Sequence, residues 1–383
     1  MVYSKMKRIM FFSLFLATLF LYAQACGIDR PAGEADGGDT TAVVPAPADS
    51  VSSLRTGIDT KAWQVAKPEQ LGYSPEGFAA LTKRLDSLDV SHFVVVVDGR
   101  IIFTYGDYDR NTYYIASCRK SILAMMYGKW VENGTIDLDR TVGDLGMDDI
   151  GGLLPIEKKA TIRHLLTARS GCYHPASNTG DDTAYAPERG SVEPGTYFLY
   201  NNWDFNAAGY VFELLTGKDI FRDFYDQFAN PLGMQDFLLS SHKHAGNLDL
   251  SIYPTYHFRL TARDMARIGL LMLYDGEWMG KRLISHEWIQ TITSPVTPRA
   301  EMHPDSRKTG SFDYGYLWWI YSPEKKNFKA DIFGGGYSAM GSGGQRITVL
   351  PAMNMVVVQK VKEGSVGTAT YNSLIEQVAG CKL

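Results

Sequence analysis

The chain has 383 residues, 45% of them hydrophobic and 21% charged, a balance that can sustain a packed core and excludes a disordered tail or a fibre. Its 38 Lys plus Arg stand against 42 Asp plus Glu, a formal net charge of -4; with no broad positive field, no nucleic-acid partner is expected. The four cysteines, Cys26, Cys118, Cys172 and Cys381, form no CxxC pair and lie beside no His at metal-ligand spacing, so neither a zinc site nor a disulfide framework is expected.

Lys5, Lys7 and Arg8 precede an apolar run from Ile9 to Tyr22, and Ala23-Gln24-Ala25-Cys26 follows. Basic segment, apolar segment and small residues in that order predict a signal peptide over 1–25 and an exported protein, periplasmic or held at the membrane as a lipoprotein. The apolar run, about 14 residues, is shorter than the ~20 that a helix needs to cross a bilayer. Cys26 is the expected lipidation site and the only expected membrane contact, although Ala23 stands where a lipoprotein signal usually carries Leu. Residues 26–57 are rich in Gly, Ala, Asp, Pro and Thr and read as a flexible linker, leaving 58–383 as one domain of two closely packed lobes, expected to act as a monomer.

Within that domain, Ser74-Pro75-Glu76 opens a helix with Phe78, Leu81, Leu85 and Leu88 at helical spacing. Phe93 to Val97, Asp98-Gly99 and Ile101 to Phe103 predict a β-hairpin. From Ser117 to about Ser294 helical patterns dominate, broken by long polar loops such as 171–195. Strands are predicted over 316–321, 345–350 and 355–361, with Pro351 to Asn354 as a turn and a last helix over 371–378. Strands at both ends with helices between them predict an α/β sandwich: one antiparallel sheet flanked by helices, built from both termini, with a helical lobe inserted.

Ser117-Cys118-Arg119-Lys120 is a Ser-x-x-Lys motif, which a helix places on one face, one turn apart. A serine hydroxyl needs a neighbouring base, and a lysine becomes one when desolvation or a nearby cation lowers its pKa. Ser4/Lys7, Ser240/Lys243 and Ser322/Lys325 share the spacing, but only Ser117 opens an apolar helical stretch, Ile122 to Met126; the plainer role for Ser117 is to cap that helix. Tyr200-Asn201-Asn202 is the only Tyr-x-Asn in the chain, and a tyrosine near a lysine can share its proton, or it can belong to an aromatic cluster with Tyr197 and Phe198. Ser338 to Gln345 is glycine-rich: Met340, Gly341, Gly343 and Gln345 are candidate substrate-binding positions, and the Ser342 amide is the candidate second oxyanion donor beside that of Ser117. The same run can equally form a turn or bulge.

In this order the three segments resemble the serine β-lactamase and penicillin-binding-protein superfamily, in the branch that holds class C β-lactamases, D-amino peptidases, esterases and 6-aminohexanoate-oligomer hydrolases. Ile162 to Thr167 with Ser170-Gly171, Leu260 to Ala266, and Tyr314 to Trp319 are similar to further landmarks, so the resemblance runs from about Leu71 to Val361. It implies a β-lactamase/DD-peptidase-like fold, acylation of Ser117, proton exchange by Lys120 and Tyr200, and Asn202 holding Lys120 or a substrate amide. No cofactor or metal is implied, and the substrate is a small molecule or peptide with an amide or ester bond. Ala339-Met340-Gly341 falls where that family's third motif is expected and lacks its Lys or His. A literal Lys308-Thr309-Gly310 lies in a charged stretch ahead of Tyr314. The missing cation weighs against penicillin or peptidyl D-Ala-D-Ala, with Arg346 and Arg119 as possible substitutes, and leaves an inactive envelope protein that binds cell-wall peptide as the alternative. No Gly-x-Ser-x-Gly occurs, which argues against a Ser-His-Asp hydrolase, and His242-Lys243-His244 reads as a solvated loop.

Overall fold

The computed structural model describes residues 63–110 and 112–383; the expected signal segment, Cys26 and the linker to residue 57 lie outside them. Ser74 caps α1 (Pro75–Leu85): its hydroxyl accepts from the Gly77 amide at 3.1 Å, and Pro75 takes a position that needs no amide hydrogen. The helix buries Phe78, Leu81 and Leu85, and ends before Leu88. β1 (His92–Val97) and β2 (Arg100–Tyr105) form the predicted hairpin. Asp98 and Gly99 at its tip both take positive φ, 48° and 74°, as a two-residue primed turn requires.

The inserted helical lobe includes α2 (Cys118–Glu132) and α3 (Asn202–Thr216), which pack against each other. α2 is buried all round from Cys118 to Gly128, so it carries no polar face that a periodicity count would detect. Thr261 then caps α4 (Ala262–Leu273).

Five more strands come from the C-terminal part: β3 (Phe312–Tyr314), β4 (Trp319–Tyr321), β5 (Tyr337–Gly341), β6 (Gln345–Leu350) and β7 (Met355–Lys360). With the hairpin they make one seven-stranded antiparallel sheet in the order β2-β1-β7-β6-β5-β4-β3. The two ends of the chain meet where β1 pairs β7, Val94 opposite Val358 and Val97 opposite Met355. Both faces of the sheet are covered. Ile347 of β6 faces α4, where the bare Cα of Gly269 lets helix and sheet approach: a Cβ there would lie 2.4 Å from Val356 Cγ1. Thr348 faces the other way, and its hydroxyl meets that of Tyr371 at 2.8 Å on α5 (Thr368–Ala379), which packs beside α1. Double coverage is why Phe93 to Val96 form an unbroken apolar run instead of an alternating one.

Two strand expectations need correction. Residues 316–318 are not strand: Gly315 and Leu317 (φ 60°) turn the chain, the Gly315 amide donates to Trp318 O at 3.0 Å, and only Trp319–Tyr321 joins the sheet. The segment before β6, for which no strand was predicted, is strand up to Gly341, with Ala339 opposite Ile347, and only Ser342–Gly344 is the turn that its glycines allowed. His242-Lys243-His244 is not a loop, although Lys243 and His244 are exposed as expected. His242 is buried among Phe221, Phe237 and Phe258, and Lys243–Ala245 pairs with Thr255–His257. Cys118, Cys172 and Cys381 are buried free thiols.

Candidate active site

Ser117 is the N-cap residue of α2, yet its side chain makes no cap hydrogen bond, so the plainer role considered for it is not the one it takes. Its hydroxyl pulls the Tyr200 phenol pKa downward, and both side chains line one cleft. Neighbours hold the start of α2 in place. The Cys118 thiol is wedged between Ala339 O at 3.5 Å and Gln345 O at 3.4 Å, and the Ser121 hydroxyl donates to Leu317 O at 2.6 Å. Ala116, immediately before Ser117, has φ 48°, a left-handed conformation uncommon for a residue with a Cβ.

Lys120 lies one turn on, 2% exposed, with its Nζ 2.7 Å from Tyr200 Oη and 2.7 Å from Asn202 Oδ1. The same nitrogen stands 4.2 Å from the ring centroids of both Tyr200 and Phe205. Burial, helped by the cation of Arg119, holds the Lys120 amine well below the ordinary lysine range. Tyr200 moves the opposite way: burial raises its phenol to about 12, against the pull of Ser117, Arg119 and Arg307. Lys120 Nζ donates to both Tyr200 Oη and Asn202 Oδ1, while burial favours the uncharged form of the amine and of the phenol alike.

The remaining contacts fix this group. Asn201 caps α3, accepting from the Trp203 amide at 3.0 Å. Asn202 is held by Asp181 Oδ2, which accepts from its amide at 2.8 Å, and by Thr179 O, which accepts from its Nδ2 at 3.0 Å. Tyr200 packs against Phe205, Tyr314 and Trp319 and does not join Tyr197, whose ring stacks on His303. Beneath, the Ser170 hydroxyl donates to Asp204 Oδ1 at 2.5 Å. Burial pushes that carboxyl well above its usual range. Arg119 does not face the cleft as a substitute cation; it is buried with Asn206 Oδ1 at 2.9 Å and its guanidinium carbon 4.2 Å from the Tyr256 centroid.

β5 supplies the opposite wall. A Cβ on Gly341 would lie 2.5 Å from Ile115 O and 3.1 Å from Ala116 Cβ, so glycine is what lets the strand end beside Ser117. The turn Ser342–Gly344 follows, and Arg346 ties it down by donating from Nη1 to Gly341 O and Gln345 O, both at 2.9 Å. Among the described residues, neither the Ser117 nor the Ser342 amide donates to a loop, turn or cap carbonyl. Between them opens a cleft of about 280 Å³ lined by Ser117, Tyr200, Met340, Gly341, Ser342 and Arg346, among others. Gln345 and Gly343, expected at the ligand face, are not on that wall: the Gln345 amide turns inward and clasps Val361, Nε2 to O at 2.6 Å, while Gly343 O receives the Val366 amide at 3.0 Å.

Arg307 is the residue that sequence reasoning missed. It reaches the cleft from a short helix, Asp305–Lys308, with its guanidinium carbon 5.5 Å from the Tyr200 centroid and 5.2 Å from that of Trp319. Its Nε and Nη2 donate to the two oxygens of Asp182 at 2.8 and 3.1 Å, latching the loop after Ser294 to the loop after Gly171. An acid in one long loop and a base in the other was the only trace in the sequence.

The sequence matches the beta-lactamase family over residues 81–361. The chain belongs to the beta-lactamase family. Among curated relatives it is 31% identical over 153 residues to the monacolin J acid methylbutanoyltransferase of Aspergillus terreus and 29% identical over 102 residues to the 6-aminohexanoate-dimer hydrolase of Paenarthrobacter ureafaciens. These matches take in 32% and 26% of this chain, and only 36% and 23% of those relatives' lengths. Among solved structures, a Bacillus anthracis protein described as a candidate 6-aminohexanoate-dimer hydrolase superposes with TM-score 0.61 at 20% identity, covering 85% of this chain and 88% of that one. An octameric penicillin-binding protein homologue from Pyrococcus abyssi gives 0.57 at 19% identity, covering 79% and 76%, and a Mycobacterium bovis beta-lactamase gives 0.55 at 18%, covering 79% and 100%. Identities this low establish the shared fold.

Within this family fold the third-motif question has a geometric answer. Ala339-Met340-Gly341 is the strand end that abuts Ser117, whereas Lys308-Thr309-Gly310 lies outside the sheet, with Lys308 Nζ 2.8 Å from the exposed Asp305 carboxylate. Among the described residues, one group could present metal-ligand atoms within 4.8 Å of one another: Glu213, Asp219 and His244. Two of these, Glu213 and His244, line a separate surface pocket with Tyr210, Pro254 and Tyr256.

Proposed function

We propose that this beta-lactamase-family protein hydrolyses an amide or ester through an acyl-enzyme on Ser117. The observation that carries the proposal is the buried Lys120 amine held by Tyr200 and Asn202 on the cleft that Ser117 lines, with burial lowering the amine and raising the phenol. Protons then move in relay. As Ser117 Oγ adds to the carbonyl carbon, its hydrogen passes to the Tyr200 oxygen and the Tyr200 hydrogen passes to Lys120, so no free tyrosinate has to exist. The carbonyl oxygen, now negative, is received by the Ser117 and Ser342 amides. Collapse breaks the bond to the leaving nitrogen or oxygen, which takes a proton from Tyr200 as Lys120 returns its own. Water repeats the sequence on the acyl-enzyme, and the products are an acid, an amine or alcohol, and free Ser117.

A fluorophosphonate probe tests this: one adduct is expected by intact mass, lost in Ser117→Ala. No adduct, or an equal adduct in the variant, overturns the proposal. Steady release of 4-nitrophenol from an ester in plain buffer tests water as the acceptor. A single-equivalent burst that turns over only after an alcohol or amine is added would redirect the reading to acyl transfer, the chemistry named for the Aspergillus relative.

A further inference from the structure

Two long loops contribute to the wall of the cleft beside Ser117: Gly180 from the loop after Gly171, and Arg307 from the loop after Ser294. Each loop is anchored elsewhere. In the first, Thr179 O accepts from Asn202 Nδ2 and Asp181 Oδ2 from the Asn202 amide, while the Asp182 amide donates to Tyr200 O at 2.9 Å. In the second, His303 stacks on Tyr197 with ring centroids 4.0 Å apart, the Thr297 hydroxyl accepts from Arg169 Nη1 at 2.9 Å, and Arg299 Nη1 donates to Lys308 O at 2.6 Å. Pinned at several points, both loops hold what they present to the cleft in fixed places.

The two loops meet in the ion pair of Arg307 and Asp182. Arg307 uses both Nε and Nη2, at 2.8 and 3.1 Å, and this two-point geometry fixes the plane of the guanidinium as well as its position. Its carbon lies 5.5 Å from the Tyr200 centroid and 5.2 Å from that of Trp319, so two rings and a carboxylate hold one cation. Arg307 also borders a second space. An adjoining cavity of about 290 Å³ is lined by Met302, Arg307, Phe312, Trp319 and Met340, among others, and Arg307, Trp319 and Met340 line the catalytic cleft too. The guanidinium therefore stands where the cleft passes into the cavity. In the reaction proposed above, Tyr200 hands a proton to the leaving atom, so a group poised over its ring stands beside the leaving group.

We propose that the Arg307–Asp182 pair is a specificity-determining bar, which lets a slender leaving group pass into the adjoining cavity and turns away one that branches close to the departing oxygen or nitrogen. The place of the leaving group rests on the Ser117 reading; the bar itself rests on the contacts of Arg307. A bulky group could displace the guanidinium only by breaking two charge-assisted hydrogen bonds and its contacts with both rings, so the pair selects by shape. Asp182→Asn keeps the shape of the partner and the amide that Tyr200 O receives, and it removes only the charge that holds Arg307 in place.

The test compares n-pentyl butanoate with neopentyl butanoate, which share the acyl group and release primary alcohols of closely similar basicity. It is read as the ratio of their kcat/KM values in wild type, Asp182→Asn, Arg307→Ala and Arg307→Lys. Arg307 and Asp182 also act on the charge of Lys120, and the ratio cancels that shared effect. A partly exposed ion pair contributes little to stability, so the variants fold. Wild type is expected to prefer the n-pentyl ester. That preference should fall ~10-fold in Asp182→Asn and Arg307→Ala, and persist in Arg307→Lys, which keeps a cation for Asp182. A pair that only holds the loops would slow both esters alike; an unchanged ratio in both Asp182→Asn and Arg307→Ala overturns the bar. Labelling of Ser117→Cys separates the two ideas, because the native Cys118, Cys172 and Cys381 are buried. S-methyl methanethiosulfonate and S-methyl neopentanethiosulfonate leave the same group on the new thiol and differ in the width of the departing sulfinate. The ratio of their labelling rates by intact mass should fall when Asp182→Asn or Arg307→Ala is added. If wild type turns over neither ester, the Ser117 reading fails, and an unchanged labelling ratio alone decides against the bar.

Discussion

Replacing Gly341 by Ala tests whether the oxyanion pocket depends on how closely β5 approaches the start of α2. Gly341 has φ -125° and ψ 149°, ordinary extended backbone, so alanine brings no conformational strain and acts only through contact. Its Cβ would lie 2.5 Å from Ile115 O and 2.9 Å from Gln345 Cβ. Restoring van der Waals contact requires the strand end and the 115–117 segment to part by about 0.5–1 Å. The two amides proposed to receive the oxyanion sit on the parting sides, Ser342 next to Gly341 and Ser117 two residues past Ile115. Hydrogen bonds near the usual 2.9 Å would stretch beyond about 3.4 Å, where little remains of them. Loss of one such donor costs about 10² to 10³ in rate. The acylation rate of a 4-nitrophenyl ester, read as the burst in rapid mixing, should fall by that factor, while the urea midpoint reports a loss of only about 1–3 kcal/mol. Gly343→Ala is the control: the nearest atom to its Cβ would be 3.6 Å away, so it costs about 1–2 kcal/mol for its φ of 78° and leaves the burst within about threefold. A folded Gly341→Ala protein that acylates at the wild-type rate, or an equally slow Gly343→Ala, refutes the reasoning.

Lys120→Met should abolish acylation without loss of stability at pH 7. The native amine is held below its unfolded pKa, so its contribution is unfavourable below the unfolded value and improves as pH rises toward it; a melting temperature several degrees under wild type would contradict this. The pH profile of kcat/KM should rise as Lys120 loses its proton, below the ordinary lysine range, and fall near pH 12 as Tyr200 ionises. Arg307→Gln removes a cation that lowers the Lys120 pKa and leaves Asp182, which raises it, so the acid limb should move to higher pH; an unmoved limb denies the coupling. Asp149 accepts from Trp203 Nε1 at 2.7 Å, Ser251 Oγ at 2.6 Å and the Ile252 amide at 2.9 Å, so Asp149→Ala strands two buried donors and one half-buried amide and should cost about 3–5 kcal/mol by chemical denaturation.

The helix at Ser74, the Asp98-Gly99 hairpin and the last two strands were legible because turn chemistry and apolar runs mark them locally. β3 and β5 were not: they are short or glycine-ended, and they become strands through pairing with residues they adjoin only in the fold. For the site, Ser117, Lys120, Tyr200 and Asn202 could be named together because motif spacing survives in sequence, although their convergence lies in the packing of α2 against α3. Gln345 was misjudged since a glycine-rich run shows close approach without showing which neighbours turn inward. Arg307 was hidden for a related reason: its partner Asp182 is 125 positions away, and nothing local marks either residue.

The sheet is seamed at its middle, where β1 meets β7 and Val97 lies opposite Met355. A nascent chain therefore pairs Phe93 to Val97 with β2 early but finds the partner for their other edge only when β7 has been made. Such late closure makes folding slow and leaves a sticky, β-prone segment unguarded in the interim. Truncations near the C-terminus should accordingly yield aggregates in place of smaller folded fragments.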